Sequence, residues 1–231
     1  MDAAIVTFTH KPALYEISSQ MLDLPFPKFA FRNYTTDWNE WFRIFLQVPA
    51  RWLILVDEDV FVFDPKQLEL LLEFLELEGI TICGVPDGGV VEHRFHNPII
   101  CNPFFCVFDR SAIPNPTDTI IRSILQTPWD DSYRDQQAPF VGTDGKQFAY
   151  DHFEPWYGFQ FWLCHQGFKF HYLDAIPWQG EPERCTTLLK SHIGKLFALH
   201  TWFARHYDGS HRDRIDRAMK YALSLRDSAA F

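Results

Sequence analysis

The sequence has 231 residues, of which 47% are hydrophobic and 17% aromatic, enough apolar side chains for a folded core; this excludes a disordered chain. The formal net charge is −9, and such an acidic balance argues against a nucleic-acid partner. The longest uninterrupted apolar runs, such as Trp52–Val56, are far shorter than the ~20 residues that a membrane-spanning helix needs.

The cysteines and the amino-terminal segment bear on the location of the protein. Five cysteines are scattered along the chain without a CxxC pair, and no basic segment precedes the first apolar run. Reduced thiols in a cytoplasmic protein are the simplest interpretation. We therefore expect a cytoplasmic protein without a transmembrane segment, which can still work at a membrane surface if a lipid or a protein partner presents its substrate there.

Strand-like and helix-like segments alternate in the first half of the chain. Short apolar runs predict strands, and segments with helical spacing of apolar residues predict helices between them. The predicted strands are 3–8, 28–32, 52–56 and 80–85, and the predicted helices are 13–22, a helix capped by Thr36 or Asp37 that ends near residue 46, and 64–77. This order predicts an α/β protein with a mostly parallel central sheet flanked by helices.

The second half is less regular but shows no linker or repeat. The predicted elements are a polar loop over 86–97, a strand over 104–108, a helix from 114–117 to 125, a polar loop over 128–147, a helix over 151–165, strands over 168–173 and 196–199, and a helix over 213–225. This half elaborates the same sheet, so we expect a single domain over residues 1–231.

The motif that carries chemistry is Asp57-Glu58-Asp59 in WLILVDEDVFVFDP. In an extended backbone, residues i and i+2 point to the same side, so Asp57 and Asp59 face one site while Glu58 turns away. Open α/β sheets bind ligands at the carboxyl ends of their strands, where this motif lies. A solvated acidic turn is the alternative interpretation. Carboxylates beside a buried strand are costly without a function, which favours a binding site.

A cation is the expected ligand of this motif. Two adjacent carboxylates repel each other unless a cation lies between them, and oxygen ligands suit Mg²⁺ or Mn²⁺. Such an ion can bridge to a diphosphate, which explains how an acidic protein could bind an anionic substrate. His200 is the candidate third ligand, because it follows the apolar run 196–199, a strand that would bring it to the same edge.

With these residues in place, the sequence resembles the glycosyltransferases of the GT-A fold, in which a DxD motif holds a divalent ion against the diphosphate of a nucleotide-sugar. The segments that match in order are AAIVTFTH, FRNYTTDWNEWFRIF, CNPFFCVFDRS, FKFHYLDA and LHTW. The resemblance implies a Rossmann-like GT-A domain that transfers a sugar from a nucleotide-diphosphate donor to a saccharide, lipid-linked or protein acceptor. Residues 1–110 would form the nucleotide-sugar-binding half and residues 111–231 the acceptor-side half.

The resemblance also implies roles for particular residues. The implied donor-binding residues are Thr7, His10, Arg32, Asp57, Glu58 and Asn102. Asn102 would face the donor sugar, with Phe104 standing where such families usually carry a glycine. His200 would be the late histidine that completes the metal site with Asp57 and Asp59.

Transfer with inversion also needs a base for the acceptor hydroxyl, and the family supplies it near the start of a helix that follows a glycine-containing loop. Asp151 and Glu154 are the candidates, because a helix over 151–165 would place them on one face. The alternative is a capping pair at the start of that helix. Glu154 is favoured because Trp156 and Tyr157 beside it would form a platform for a sugar. In transfer with retention, no dedicated base is needed.

Three other functions fit parts of the pattern. A haloacid-dehalogenase-like phosphohydrolase also uses DxD, but Phe61 stands where such enzymes carry Thr or Val, and two strand–helix units precede the motif. A nucleotidyltransferase would need a glycine-rich loop after the first strand, and residues 7–12 contain no glycine. A non-catalytic carbohydrate-binding protein would also account for the aromatic residues.

Overall fold

The computed structural model describes residues 1–32, 37–113, 116–138, 141 and 147–229. Three sequence-based expectations lie outside these residues: the cap at Thr36, the start of a helix at 114–115 and most of the polar loop around 142–146. None of the helices in the described ranges has the length and apolar composition needed to cross a lipid bilayer.

The described ranges contain ten strands and six α-helices. The strands are β1 (Ala3–Thr9), β2 (Lys28–Arg32), β3 (Trp52–Val56), β4 (Val60–Val62), β5 (Ile82–Pro86), β6 (Cys101–Asp109), β7 (Phe170–Tyr172), β8 (Ala175–Pro177), β9 (Thr187–Lys190) and β10 (Leu196–His200). The helices are α1 (Pro12–Met21), α2 (Trp38–Gln47), α3 (Pro65–Glu78), α4 (Asp118–Leu125), α5 (Pro155–His165) and α6 (Arg212–Ala229).

The larger sheet confirms the predicted α/β class. Its strand order is β2-β1-β3-β6-β5-β7, and every strand runs in the same direction except β6, which is antiparallel to both of its neighbours. The alternate side chains of β3 enter different cores: Leu53 and Leu55 join one cluster with α2, α4 and α5, while Ile54 and Val56 join another with α3. Burial on both faces explains why β3 is apolar throughout.

A second, antiparallel sheet has the order β4-β10-β9-β8, and three of its strands, β4, β8 and β9, are not among the strands that the sequence predicts. β4 begins directly after Asp59 and pairs with β10, with Val60 opposite His200. The outer face of this sheet packs on α1 and α6 through Phe61, Leu199 and Ile215. This pairing places His200 beside the acidic motif although 141 positions separate His200 from Asp59.

The predicted helix over 151–165 starts later than expected. α5 begins at Pro155, and Glu154 has an extended backbone, with φ −129° and ψ 150°. A proline disfavours the helical conformation in the residue before it, which accounts for this start. The expectation that Asp151 and Glu154 share a helix face is therefore wrong.

α4 and α5 pack closely at Gly158, and this contact is testable. A Cβ atom at position 158 would lie 2.2 Å from the carbonyl oxygen of Leu125, which is backbone and cannot rotate away. We expect Gly158→Ala to lower the free energy of unfolding by about 1–3 kcal/mol, the usual effect of overpacking, as measured by urea denaturation. Gly209→Ala is the control, since the nearest atom there is 3.8 Å away. Equal effects in the two variants would contradict the close packing.

Candidate functional site

Asp57, Asp59 and His200 form a group whose ligand atoms all lie within 4.8 Å of one another. The end of β3 supplies the two carboxylates, and the end of β10 supplies the imidazole. His200 Nε2 lies 3.3 Å from Asp59 Oδ1. Within the described ranges, this is the one cluster of three or more acidic, histidine or cysteine side chains with the spacing of a metal site.

Neighbouring groups fix the orientation of Asp59 and His200. Thr201 Oγ1 donates a hydrogen bond to Asp59 Oδ2 at 2.9 Å, and the Thr201 backbone N–H donates to the Asp59 carbonyl at 3.1 Å. The His200 ring stacks on Phe104, with ring centroids 4.1 Å apart, and also contacts Trp202. Phe104 thus has a structural role here, because it supports the imidazole.

The electrostatics of the two aspartates differ. Burial raises the pKa of Asp57 well above its usual value, and the carboxylates of Asp59 and Glu58 add to this, while Arg205 acts in the opposite direction. Burial also disfavours the charge of Asp59, but His200 and the hydrogen bond from Thr201 outweigh it and lower the pKa of Asp59. The charge of Asp59 is therefore compensated by its neighbours, whereas the charge of Asp57 lacks a sufficient partner.

These residues fit a divalent cation. Two carboxylates and one imidazole are a donor set that Mn²⁺ accepts, and a cation would stabilise the ionised form of Asp57. His200 Nδ1 is buried and has no hydrogen-bond partner among the described residues, so this ring has unused capacity for a ligand.

Glu58 has a different environment from the two aspartates. Its carboxylate accepts hydrogen bonds from the backbone N–H groups of His10 and Lys11, at 2.6 and 3.0 Å, just before α1 begins. A carboxylate at a helix amino terminus satisfies free N–H groups and interacts favourably with the helix dipole. These two hydrogen bonds hold the connection between β1 and α1 against the acidic motif.

A cavity of about 410 Å³ opens beside the group of Asp57, Asp59 and His200. The sequence-predicted site residues that line it are His10, Asp57, Glu58, Asp59, Asn102, Glu154 and His200. Residues from both predicted halves of the chain line the cavity. β1, β3 and β6 contribute from residues 1–110, and β10 and the segment before α5 contribute from residues 111–231.

Three sequence-predicted residues do not line this cavity. Thr7 is buried in β1, and since side chains alternate along a strand it faces away from Phe8, which does line the cavity. Arg32 is exposed at the end of β2. Asp151 pairs instead with His96, with 3.2 Å between Oδ2 and Nδ1.

Asn102 is held by a buried hydrogen-bond network. Its Nδ2 donates to Asp87 Oδ1 at 2.6 Å, and its Oδ1 accepts from the Phe104 backbone N–H at 3.1 Å. Tyr157 donates its hydroxyl to the other oxygen of Asp87. The Tyr157 side chain is therefore buried in the interior, and Trp156 is fully buried as well. The expectation that these two rings form a platform for a sugar is wrong, because neither ring is exposed.

Two cationic residues that line the cavity, Arg94 and Arg205, are not among the site residues that the sequence predicts. Arg94 Nη2 lies 3.4 Å from Glu154 Oε1, and Arg94 Nε is buried without a hydrogen-bond partner in the described part of the chain. Arg94 ends a three-residue 3₁₀ helix, Glu92–Arg94, which is too short for a periodic pattern to single it out. Arg205 follows the LHTW segment by three residues, and this proximity to His200 is the signal that could have identified it.

The backbone after His200 adopts an unusual conformation that α6 stabilises. Trp202 and Phe203 have φ values of 58° and 64°, in the left-handed backbone region that residues other than glycine rarely adopt. Arg214, 4% exposed, donates to the carbonyls of Thr201 and Trp202 at 2.6 and 2.8 Å. The turn that leads from His200 into the cavity wall therefore depends on a residue of α6.

No family model matches the sequence, and no curated protein matches it. Among solved structures, the chain is similar to the mannosyltransferase PcManGT from Pyrobaculum calidifontis in complex with GDP-Man and Mn²⁺, with 10% identity and a TM-score of 0.37 over 48% of this chain and 45% of that one. The chain thus spans less than half the length of that protein. It is also similar to A197 from STIV, with 13% identity and a TM-score of 0.39 over 85% of this chain and 93% of that one.

The contacts of Arg214 give a prediction for stability. Arg214 Nη1 lies 3.4 Å from Oε2 of Glu181, whose side chain is fully buried. We expect Arg214→Met to lower the free energy of unfolding by about 3–5 kcal/mol, because it leaves a buried carboxylate without its cation. Urea denaturation followed by tryptophan fluorescence measures this. Arg217→Met, at an exposed position of the same helix, should change stability by less than about 0.5 kcal/mol. Similar values for both variants would contradict the role of Arg214.

Proposed function

We propose that the protein is a metal-dependent glycosyltransferase that moves a sugar from a nucleoside-diphosphate donor to an acceptor hydroxyl. The observation that carries the proposal is the Asp57, Asp59 and His200 group at the carboxyl end of β3, at the wall of a cavity. Asp57 is the residue whose charge most needs a cation, and it lies at the boundary between the buried strand and the cavity.

Asp57, Asp59 and His200 would hold Mn²⁺ or Mg²⁺, which when bound supplies positive charge for the diphosphate of the donor and for the departing nucleoside diphosphate. Arg205 adds a cation of the protein itself, since it lines the same cavity and opposes the charge of the carboxylates. This local positive charge is what an acidic protein requires to bind a phosphate-bearing substrate.

The remaining cavity wall suits the other parts of such a donor. Phe8 and Trp41 stack with ring centroids 4.5 Å apart, and Trp38 packs against Trp41, so one side of the cavity is aromatic, as a flat nucleobase requires. Asn102 presents a side chain that Asp87 holds in one orientation, which favours a specific contact with a sugar hydroxyl.

Glu154 is the candidate base. It lines the cavity, whereas Asp151 pairs with His96 outside it. In transfer with inversion, the Glu154 carboxylate accepts the proton of the acceptor hydroxyl, and Arg94 positions that carboxylate. In transfer with retention, the same carboxylate accepts a hydrogen bond from a sugar hydroxyl.

The metal ligands provide the first test. Incubating the protein with a panel of nucleotide-sugars and Mn²⁺ should release nucleoside diphosphate, and chelation with EDTA should stop the release. We expect Asp59→Asn to reduce the rate about 100-fold or more, because a catalytic metal contributes several kcal/mol of charge stabilisation. Release that is independent of metal and equal in the variant would contradict the proposal, and no release from any donor would favour a non-catalytic binding protein.

Asp57→Asn controls for unfolding in the same experiment. This substitution removes a charge that burial and two neighbouring carboxylates disfavour, so without metal the variant should be at least as stable as the wild type. It should still lose the metal-dependent release. A variant that is stable and inactive separates loss of the metal site from loss of the fold.

The base assignment is tested by Glu154→Gln with Asp151→Asn as its matched control. If Glu154 takes the proton, Glu154→Gln lowers kcat by about 10²–10⁴-fold, the usual contribution of general base catalysis. Asp151→Asn should stay close to the wild-type rate, because Asp151 is exposed and outside the cavity. Thermal unfolding of both variants monitors stability. A loss of activity in Asp151→Asn alone would assign the base to Asp151.

A further inference from the structure

A second cavity, of about 820 Å³, adjoins the first. Its walls come from the start of α2, the end of α4 and the segment just before α5. Two residues, Trp38 and Glu154, line both cavities. The two spaces therefore meet at an aromatic ring and at the carboxylate that is the candidate base.

We propose that this outer cavity binds the acceptor, and that the acceptor is a neutral saccharide. The inference rests on the proposed function, because it assumes that the inner cavity holds a nucleotide-sugar. A transferase has to bring two ligands together at one reacting centre, and a base has to reach the hydroxyl of the second ligand. Glu154 meets this requirement because it faces both cavities.

The reaction at this boundary is a substitution at the anomeric carbon of the donor sugar. The acceptor hydroxyl oxygen forms the new bond to that carbon, and the bond from the carbon to the diphosphate breaks. The electron pair of the broken bond leaves with the nucleoside diphosphate. The hydroxyl proton passes to the Glu154 carboxylate.

An aromatic surface in the outer cavity favours a saccharide. Phe153 is 49% exposed, one of few large apolar side chains with such exposure in the described part of the chain. Its ring is nevertheless held in place, because it stacks on the His96 ring, with the two ring centroids 3.7 Å apart and an interplanar angle of 9°. The Arg94 guanidinium also lies 5.5 Å from the centroid of the Phe153 ring. An exposed ring that is already ordered loses little entropy when it packs against the C–H face of a sugar.

Polar groups and charge narrow the class of ligand further. Asn39 and Gln126 bring exposed amides to the cavity, and amides can donate to and accept from sugar hydroxyls. Arg122 is the one arginine or lysine among the described lining residues, and Asp37 and Glu154 bring carboxylates. A site for a phosphate-bearing lipid headgroup would need an excess of cations, so this charge distribution favours an uncharged sugar.

Saturation-transfer NMR on the full chain tests the assignment, with the methyl α-glycosides of mannose, glucose and galactose as probes. The wild type should bind at least one of them in the absence of any nucleotide-sugar. Phe153→Ala should weaken that binding roughly tenfold, as expected for loss of one aromatic contact. Phe153→Tyr should retain binding, because it keeps the ring. Leu77→Ala, at a position 83% exposed on α3, is the matched control and should bind as the wild type does.

The inference is overturned if no glycoside binds the wild type, or if Phe153→Ala binds the glycosides as well as Leu77→Ala does. Binding of phosphatidylcholine vesicles that Phe153→Ala abolishes would also overturn it, since the acceptor would then be a lipid. The proposed function has a separate readout, the Mn²⁺-dependent release of nucleoside diphosphate by the wild type without acceptor. If that release occurs and the glycosides fail to bind, the acceptor assignment is wrong while the donor assignment stands.

Discussion

Three consecutive acidic side chains follow a fully buried strand, and the structure depends on how their charges are compensated. Glu58 accepts hydrogen bonds from two backbone N–H groups just before α1. Asp59 lies beside the His200 imidazole and accepts a hydrogen bond from Thr201. Among the residues that the structure describes, Asp57 has no comparable partner. Two of the three charges therefore hold separate segments of the chain together, and the third leaves a local excess of negative charge at the cavity wall.

These contacts explain how distant parts of the chain are kept in place around the cavity. Glu58 connects β3 to the β1–α1 turn, and the pairing of β4 with β10 brings His200 to Asp59. Arg214 in α6 then holds the turn that follows His200. The smaller sheet and the last helix are consequently part of the site rather than an appendage to the larger sheet.

The sequence predicts the parts of this arrangement that have a local signal. The apolar run 52–56 identifies β3 and the acidic motif at its end. Asp57 and Asp59 do come together, but across a turn in which the Val60 N–H donates to the Asp57 carbonyl at 3.1 Å, and not in the extended backbone that the i, i+2 spacing assumes. β4, β8 and β9 have three or four residues each and are stabilised by pairing with distant segments, so no local periodicity reveals them. Arg214 lies in a helix with alternating charges, where the sequence does not distinguish a buried arginine from an exposed one.

The order in which the chain is synthesised sets when the site can exist. The carboxylates at positions 57 and 59 emerge from the ribosome long before His200, and Arg214 emerges later still. Contacts between segments that far apart form after local ones, because the intervening chain must first be ordered. While these segments are still being synthesised, the group that could hold a metal ion is therefore incomplete, and it is completed only when the segment from β10 to α6 has docked.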